Sequence, residues 1–226
     1  MNQALKKLGD GNTAEIFLLS DNRVLKLFKP GYSRSTVESE YSNHKYVCGL
    51  MSNIPQVYEF YEDNGRYGYI MERVTGESLT SFMMNEATFD TSMELFVRLH
   101  KEWLTVRTDS LISYKDWMLN LLRSKDADRT TLETVNDLPD GDMLCHGDFH
   151  PFNIIITPEE QPYIIDFANI CAAPAEYDIA RTYVLLHEAA ADIPLGEIYL
   201  EKIGVTYEHI RRYVDLLRLV RKAEMA

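Results

Sequence analysis

The stretch Cys145–Asn153, with the sequence CHGDFHPFN, decides how the rest of the chain is interpreted. Three isoleucines follow it, then a turn bounded by two prolines, and then the apolar run Tyr163–Ile165 with a carboxylate at Asp166. Two apolar runs on either side of a turn predict a β-hairpin. Such a hairpin brings Asn153, at the start of one strand, close to Asp166, at the end of the other.

The polar side chains of this stretch have the chemistry of a magnesium site with a base beside it. The amide oxygen of Asn153 and the carboxylate of Asp166 are hard oxygen ligands of the kind that Mg²⁺ prefers. Asp148 lies upstream on the same loop. It is placed there to accept a proton from a hydroxyl nucleophile.

The identity, order and spacing of these residues resemble a known family. His-Gly-Asp-x-His-Pro-x-Asn, followed by apolar residues and Ile-Asp-Phe, is similar to the motif of the aminoglycoside phosphotransferase and choline kinase family. The resemblance implies Asp148 as the catalytic base, Asn153 as a catalytic and metal-binding residue, and Asp166 as a second metal ligand. Many family members have Trp after this Asp and protein kinases have Phe-Gly, whereas this chain has Phe167-Ala168-Asn169. That departure leaves the subfamily open.

The loop has two other interpretations. A loop rich in His and Asp also occurs as a helix-capping turn without chemistry, but Asn153 and Asp166 would then be coincidences. His146, Asp148 and His150 offer nitrogen and oxygen donors to zinc. The sequence has no convincing second cluster to complete four-coordination, and its cysteines lack CxxC spacing.

Length and charge bound the class of protein. The chain has 226 residues, 46% of them hydrophobic, which suits one large domain or two intimate lobes. Its net charge of −12 disfavours nucleic-acid binding, because phosphate backbones require clustered Lys and Arg. An acidic surface attracts cationic substrates, although it also serves simple solubility.

Cysteine usage and hydropathy predict a cytoplasmic protein without membrane partners. Cys48, Cys145 and Cys171 are scattered and odd in number, which fits reduced thiols. Residues 1–7 lack the apolar core of a signal peptide. No uninterrupted apolar run approaches the ~18 residues needed to span a bilayer.

The amino-terminal segment is typical of a nucleotide-binding sheet. A turn with Gly9 and Gly11 runs into an apolar strand, and the next strand carries Lys26 at its centre. Glycines let the backbone approach phosphate oxygens, although they also make plain hairpins. The resemblance implies that Gly9, Gly11 and Asn12 contact the nucleotide, and that Lys26 binds its phosphates and pairs with a helical Glu.

A helix that begins near Ser33 supplies the candidate glutamates. Ser33 is available to cap it, and Glu38 and Glu40 lie in its first turns. Either carboxylate can instead be a solvated surface group. We favour Glu40 as the partner of Lys26, since it aligns better with the Glu of the family.

Two strands joined by the turn Asp63–Gly65 follow the helix and lead into residues 72–78. That segment resembles the family's linker between lobes. There the main chain recognises adenine, so the resemblance implies contacts from the backbone of Glu72 and Val74.

The carboxyl-terminal part is mostly helical, with one helix expected over 114–124 and a polar, mobile loop between Asp126 and Asp142. Asp178 is interpreted as the N-cap of a further helix, and the family has an Asp in this setting that bonds the catalytic-loop backbone. Three carboxylates in the tail are candidates for a cation-binding cleft, with exposed helix carboxylates as the alternative: Asp192, Glu197 and Glu201.

The sequence thus predicts an α+β, bilobal protein-kinase-like fold: a small antiparallel-sheet N-lobe (1–71), a hinge (72–78) and a helical C-lobe (79–226). The resemblance implies transfer of the γ-phosphate of ATP, with Mg²⁺, to a hydroxyl of a small and possibly cationic molecule that is aminoglycoside-, choline- or sugar-like. Two alternatives stay open, a compact atypical protein kinase and a nucleotide-binding pseudokinase-like scaffold. His150 argues against the former, because protein kinases usually carry Lys there.

Overall fold

The computed structural model describes residues 5–190 and 192–225, which form two units. The sheet unit comprises the described residues up to Ser78 together with Phe152–Ala168. The helical unit comprises Leu79–Pro151 and the described residues from Asn169 onward. The sequence assigns the Phe152–Ala168 hairpin to the C-terminal lobe, whereas the structure groups it with the sheet unit. Its backbone pairs there with a strand of that unit, and the predicted lobe boundaries stay a prediction.

The strands of the described residues are, in chain order, β1 (Lys6–Asp10), β2 (Ala14–Ser20), β3 (Arg23–Phe28), β4 (Val57–Asp63), β5 (Arg66–Glu72), β6 (Glu77–Ser78), β7 (Met143–Cys145), β8 (Ile154–Ile156), β9 (Pro162–Ile164) and β10 (Cys171–Ala173). The helices are α1 (Arg34–Cys48), α2 (Leu79–Met83), α3 (Phe89–Trp103), α4 (Tyr114–Ser124), α5 (Arg129–Asn136), α6 (Ala175–Ala189), α7 (Leu195–Ile203) and α8 (Tyr207–Met225). A single 3-10 turn covers Pro151–Asn153.

The sheet unit is built on a five-stranded sheet with the order β1-β2-β3-β5-β4, all neighbours antiparallel. Its register places Lys26 of the central strand between Ile16 on β2 and Tyr69 on β5. The sequence predicted four of these strands and the turn that connects β4 and β5, and the structure confirms them. It did not predict β1, because the stretch around Gly9 was interpreted as a turn. Lys26 is therefore held in the middle of the sheet.

Helix α1 packs against β4 and β5. Ser33 is its N-cap, and the side-chain oxygen accepts a hydrogen bond from the main-chain N–H of Thr36 at 3.1 Å. This satisfies one of the donors that every helix start leaves free. Val37 of the helix joins a buried cluster with Phe28 and Tyr69 of the sheet. The predicted helix start is confirmed.

The predicted hairpin after the polar loop is also confirmed. Strands β8 and β9 pair antiparallel, with Ile154 opposite Ile164. The other edge of β8 pairs with the short β6, which gives a three-stranded sheet.

The helical unit is organised around α6, which contacts both α7 and α8. Most of α6 is buried, from Tyr177 to Leu186. Strands β7 and β10 pair beside it and place Cys145 directly opposite Cys171, both buried and both free thiols. The polar loop follows β7 directly, so it begins at a buried position.

Two sequence expectations for this unit were wrong and one was right. Helix α4 has the predicted bounds, 114–124. The segment expected to be a mobile loop contains helix α5. Asp128 is the N-cap of this helix, and its carboxylate accepts a hydrogen bond from the N–H of Thr131 at 2.9 Å. Helix α6 has Pro174 as its N-cap, so Asp178 lies inside its first turn and does not cap it. Among the described residues, no helix is long and apolar enough to cross a membrane.

Candidate active site

Lys26 is the centre of a buried ion cluster in the sheet unit. Its ammonium group lies 2.6 Å from Oε1 of Glu40 and 3.3 Å from Oδ1 of Asp166. The Tyr69 hydroxyl donates a further hydrogen bond of 2.8 Å to Glu40. Burial alone lowers the pKa of Lys26, but the fields of Tyr69, Asp166 and Glu40 raise it well above its ordinary value. Lys26 is therefore a fixed positive charge at neutral pH, with Glu40 rather than Glu38 as its helical partner.

Helix α1 holds this cluster with three residues on one face, at positions i, i+3 and i+4. Glu40 binds Lys26, and Asn43 donates a 3.0 Å hydrogen bond to the carbonyl of Phe167. The ring of His44 packs 4.8 Å from that of Phe167. Burial and the charge of Lys26 lower the pKa of His44 to about 4, although its hydrogen bond to a main-chain carbonyl opposes this. A neutral His44 thus packs beneath the residue that follows Asp166.

The hairpin brings the two expected metal ligands to one end. The N–H of Ile165 donates to the carbonyl of Asn153 at 2.9 Å, which places Asp166 one residue beyond the pairing partner of Asn153. Asp166 has a φ of +69°, a left-handed conformation that few residues other than Gly adopt. An amide and a carboxylate at this end fit the hard oxygen ligands that Mg²⁺ takes. The roles of both residues stay a prediction.

A cavity of about 390 Å³ opens on the same sheet unit. Gly9 lines it from β1, and Glu72 and Val74 line it from the segment after β5. Its other walls are mostly apolar: Leu8, Ile16, Val24, Pro55, Met71, Arg73, Thr75, Gly76, Ile155 and Ile165. The remaining expected nucleotide contacts, Gly11 and Asn12, lie at the exposed turn between β1 and β2, where the N–H of Gly11 donates to Ala14. The structure thus brings Gly9, Glu72 and Val74 together around one apolar space.

The polar loop of the helical unit is held by three side chains of α6, again at i, i+3 and i+4. Asp178 accepts hydrogen bonds of 2.8 Å from the main-chain N–H groups of His146 and Gly147. Arg181 donates from Nε to the Gly147 carbonyl at 2.8 Å, and Thr182 donates to the carbonyl of Phe149 at 3.0 Å. One face of one helix therefore fixes both the donors and the acceptors of the loop backbone.

Asp178 is a buried anion with several donors. His100 lies 3.2 Å from it through Nε2, and the other ring nitrogen of His100 lies 2.7 Å from the Tyr199 hydroxyl. Burial raises the pKa of Asp178, but the hydrogen bonds and charges of His100 and His146 outweigh it, so the pKa lies below its ordinary value. The family resemblance implied the bond from Asp178 to the loop backbone, and the structure has it. The ring of His100 stacks 4.2 Å from that of Phe149.

Asp148 is partly exposed on this loop. Its Oδ2 lies 3.4 Å from Nε2 of His150. Burial raises the pKa of Asp148, but the hydrogen bond and charge of His150, together with the charges of Arg181 and His146, lower it to about 2. Asp148 is therefore ionised at neutral pH and able to accept a hydrogen bond from a hydroxyl.

A second cavity, of about 490 Å³, lies within the helical unit and has Asp148 in its wall. Trp117, Arg181 and Glu224 contribute to the same wall. Sequence reasoning missed Arg181, Thr182 and Glu224. The available signal was the polar pair Arg181-Thr182 inside an otherwise apolar helical stretch, which is unexpected unless the side chains have buried partners.

Four further residues belong to the zinc alternative and to the carboxyl-terminal tail: His146, Asp192, Glu197 and Glu201. The His146 ring packs 5.2 Å from that of Trp103. Within residues 5–190 and 192–225, no group of three or more His, Cys, Asp or Glu side chains is arranged to hold a metal ion. Of the tail carboxylates, Glu197 accepts a 2.9 Å hydrogen bond from Tyr183, whereas Asp192 and Glu201 are exposed.

The fold is a mixed α+β, protein-kinase-like fold. The chain belongs to the phosphotransferase enzyme family (APH), whose sequence pattern matches residues 4–216. It is thus a phosphotransferase by family.

Solved structures of similar fold are aminoglycoside phosphotransferases. The aminoglycoside-3'-phosphotransferase of type VIII has a TM-score of 0.71 at 17% identity, over 95% of this chain and 93% of that one. The enzyme APH(3'')-Id from Streptomyces rimosus, solved with ADP and streptomycin, has a TM-score of 0.68 at 15% identity, over 91% and 90%. A thermostable mutant of APH(4)-Ia has a TM-score of 0.70 at 15% identity, over 98% and 87%. At these identities the likeness shows the fold alone. No curated protein sequence matches the chain.

Proposed function

We propose that the protein transfers the γ-phosphate of ATP to a hydroxyl group of a small molecule. The observation that carries this proposal is the convergence of Lys26 on both Glu40 and Asp166. The single positive charge of the buried Lys26 faces two carboxylates, so it does not neutralise both of them. Such an arrangement suits a site in which the lysine also binds phosphates and a metal ion binds one of the carboxylates.

The apolar cavity of the sheet unit suits the adenine ring. The N–H of Glu72 already donates to Gln56 at 2.7 Å, so the carbonyl of Glu72 and the N–H of Val74 are the groups we assign to the base edge. Gly9 offers a close backbone approach on the opposite wall, and Gly11 and Asn12 are assigned to the phosphates from the exposed turn. We assign the α- and β-phosphates to Lys26.

Asn153 and Asp166 are the residues that would hold Mg²⁺. When bound, the ion neutralises phosphate charge as it develops during transfer. The chain contributes the positions of the two oxygen ligands. The Asn153–Ile165 backbone bond fixes one, and the anchoring of Phe167 by α1 fixes the other.

In the transfer itself, Asp148 accepts the hydroxyl proton of the acceptor. The hydroxyl oxygen forms a bond to the γ-phosphorus while the bond from that phosphorus to the bridging oxygen breaks, and ADP leaves with that oxygen. A carboxylate with a pKa of about 2 is a weak base. Asp148 therefore acts mainly by orienting the hydroxyl and takes its proton late, as a loose transition state allows.

The test is Mg²⁺-dependent ADP release from ATP in the presence of aminoglycosides, choline, ethanolamine or simple sugars. Asp148→Asn and Asp166→Asn are expected to abolish the release that one compound stimulates. Asp109→Asn, a change of the same kind at an exposed position, is the matched control and is expected to keep full activity. Near-normal turnover by the Asp166 variant would contradict the site assignment. Nucleotide binding without transfer to any compound would contradict the proposed reaction.

A further inference from the structure

The cavity beside Asp148 has walls whose charges are already balanced. Besides Asp148, its charged lining residues among those described are Arg181, Arg221 and Glu224. Oε1 of Glu224 accepts from Arg181 at 2.6 Å, and Oε2 accepts from Arg221 at 2.7 Å. Both oxygens of this carboxylate are thus bound to arginine. The two arginines and two carboxylates sum to zero formal charge.

We propose that this cavity binds the acceptor, and that the acceptor is a neutral polyhydroxylated compound of the sugar or sugar-alcohol class rather than a polycation. The inference rests on the proposed function, since it takes Asp148 as the base. An acceptor with several ammonium groups requires a carboxylate for each group that it buries. Here Glu224 is occupied by two arginines, and Asp148 must receive the reacting hydroxyl.

Arg181 provides an independent argument. It is 1% exposed, and its Nη1 atom is buried without a hydrogen-bond partner among the described residues. A buried guanidinium N–H without an acceptor is costly and rare in folded proteins. A hydroxyl group supplies an acceptor oxygen, whereas an ammonium group has only donors and is repelled by the guanidinium charge. The arginine wall therefore favours hydroxyls over amines.

The other walls fit a ring that carries hydroxyl groups. Trp117 lines the cavity, and the guanidinium carbon of Arg181 lies 5.6 Å from the centre of its ring. An aromatic face packs well against the C–H surface of a sugar ring. Asn120 and Asn169 add amides that both donate and accept. The volume of about 490 Å³ lies within the ~300–1,000 Å³ typical of small-molecule sites.

Two charged residues of this wall lie late in the chain. Arg221 and Glu224 lie near the end of α8, beyond residue 216, where the match to the family pattern ends. The match to that family pattern therefore carries no information about these two wall residues.

The experiment measures binding and turnover separately. Calorimetry with the Mg²⁺-ADP complex of the whole protein compares ribose, glucose, inositol and glycerol with kanamycin and streptomycin. The kcat/KM for ATP-dependent phosphorylation is measured with the same compounds. We expect at least one neutral polyol to bind, with a kcat/KM at least about tenfold above that of either aminoglycoside. Tighter binding of an aminoglycoside, or no binding of any polyol, overturns the proposal.

A charge variant sharpens the test. Arg221→Gln frees one oxygen of Glu224 and is expected to tighten kanamycin binding at least about fivefold. Arg218→Gln, an arginine on the same helix that lies outside this cavity wall, is the matched control and leaves that affinity unchanged. Unchanged kanamycin affinity in Arg221→Gln counts against the charge argument. If a polyol binds as expected but no phosphate is transferred, the cavity assignment survives and the proposed reaction fails.

Discussion

The buried carboxylate of Asp178 accepts a 2.8 Å hydrogen bond from the main-chain N–H of Gly147. It accepts a second from His146, and His100 lies 3.2 Å away, so the negative charge is shared among several donors. The loop that carries Asp148 therefore takes its shape from a helix that contributes no atom to the proposed proton transfer.

Asp178→Asn keeps the volume of the side chain but removes the charge and turns one acceptor into a donor. We expect the free energy of unfolding to fall by about 3 kcal/mol, because buried donors lose their partner, and kcat to fall with it. Denaturant unfolding and ADP release measure the two effects. Asp116→Asn, in the first turn of α4 but exposed, is the control and should change neither. An Asp178→Asn variant of native stability would show that the buried charge is not what holds the loop.

Gly147→Ala tests the loop geometry. Gly147 has a φ of +72°, and a Cβ there would clash with the carbonyl oxygen of Asn169. Gly204 has a φ of +83° but open space around it. We expect Gly204→Ala to cost roughly 1–2 kcal/mol, the price of a left-handed conformation alone. Gly147→Ala should cost more than that and should also lower kcat. Equal losses of stability, measured by thermal and denaturant unfolding, would mean that the contact with Asn169 is easily relieved.

Much of the sheet unit follows from local sequence patterns. The hairpin at Asn153 and Asp166 was predicted from two apolar runs and a turn. The capped helix after the strand of Lys26 left Glu38 and Glu40 as candidates, and the family resemblance favoured Glu40. The side-chain contacts of the helical unit were harder to predict from the sequence. Arg181 and Thr182 lie in a stretch that is apolar around them, and their roles depend on a loop far away in sequence. Cys145 and Cys171 become neighbours only through the pairing of β7 with β10.

Helix α5 shows why polar segments are hard to interpret. It is eight residues long and buries one residue, Val135, so its apolar face is short and easily missed in a polar segment. The signal that remains is its N-cap, Asp128, which the sequence interpretation treated as part of a polar loop.

The two units share one design that sequence spacing alone does not reveal. In the sheet unit, α1 presents Glu40, Asn43 and His44 to Lys26 and Phe167. In the helical unit, α6 presents a polar set with the same i, i+3, i+4 spacing to the loop backbone. Each helix thus aligns the chain around a proposed reacting or binding group without being that group.

Glu40→Gln tests whether the negative charge of Glu40, and not only its hydrogen bond, is needed to position Lys26. The amide keeps a hydrogen bond but loses the charge-assisted contact, which is worth roughly 1.5–3 kcal/mol. We therefore expect the KM for ATP to rise about tenfold or more. Glu38 lies two residues away and pairs with Arg34 on the surface, so Glu38→Gln should leave the KM for ATP unchanged. Equal KM values for the two variants would remove Glu40 from the nucleotide site.

The low pKa of Asp148 predicts a specific dependence of stability on pH. The pKa falls from 3.8 to about 2 on folding. A depressed carboxyl pKa stabilises the folded state above the unfolded pKa, and this contribution is lost as the pH falls from 3.8 towards about 2. Between pH 5 and pH 3 the wild type should therefore lose about 1 kcal/mol more than Asp148→Asn, which has no such group to titrate. Denaturant unfolding of both proteins at the two pH values measures this difference. Parallel losses would show that His150 and the neighbouring charges do not favour the ionised form of Asp148 in the folded protein.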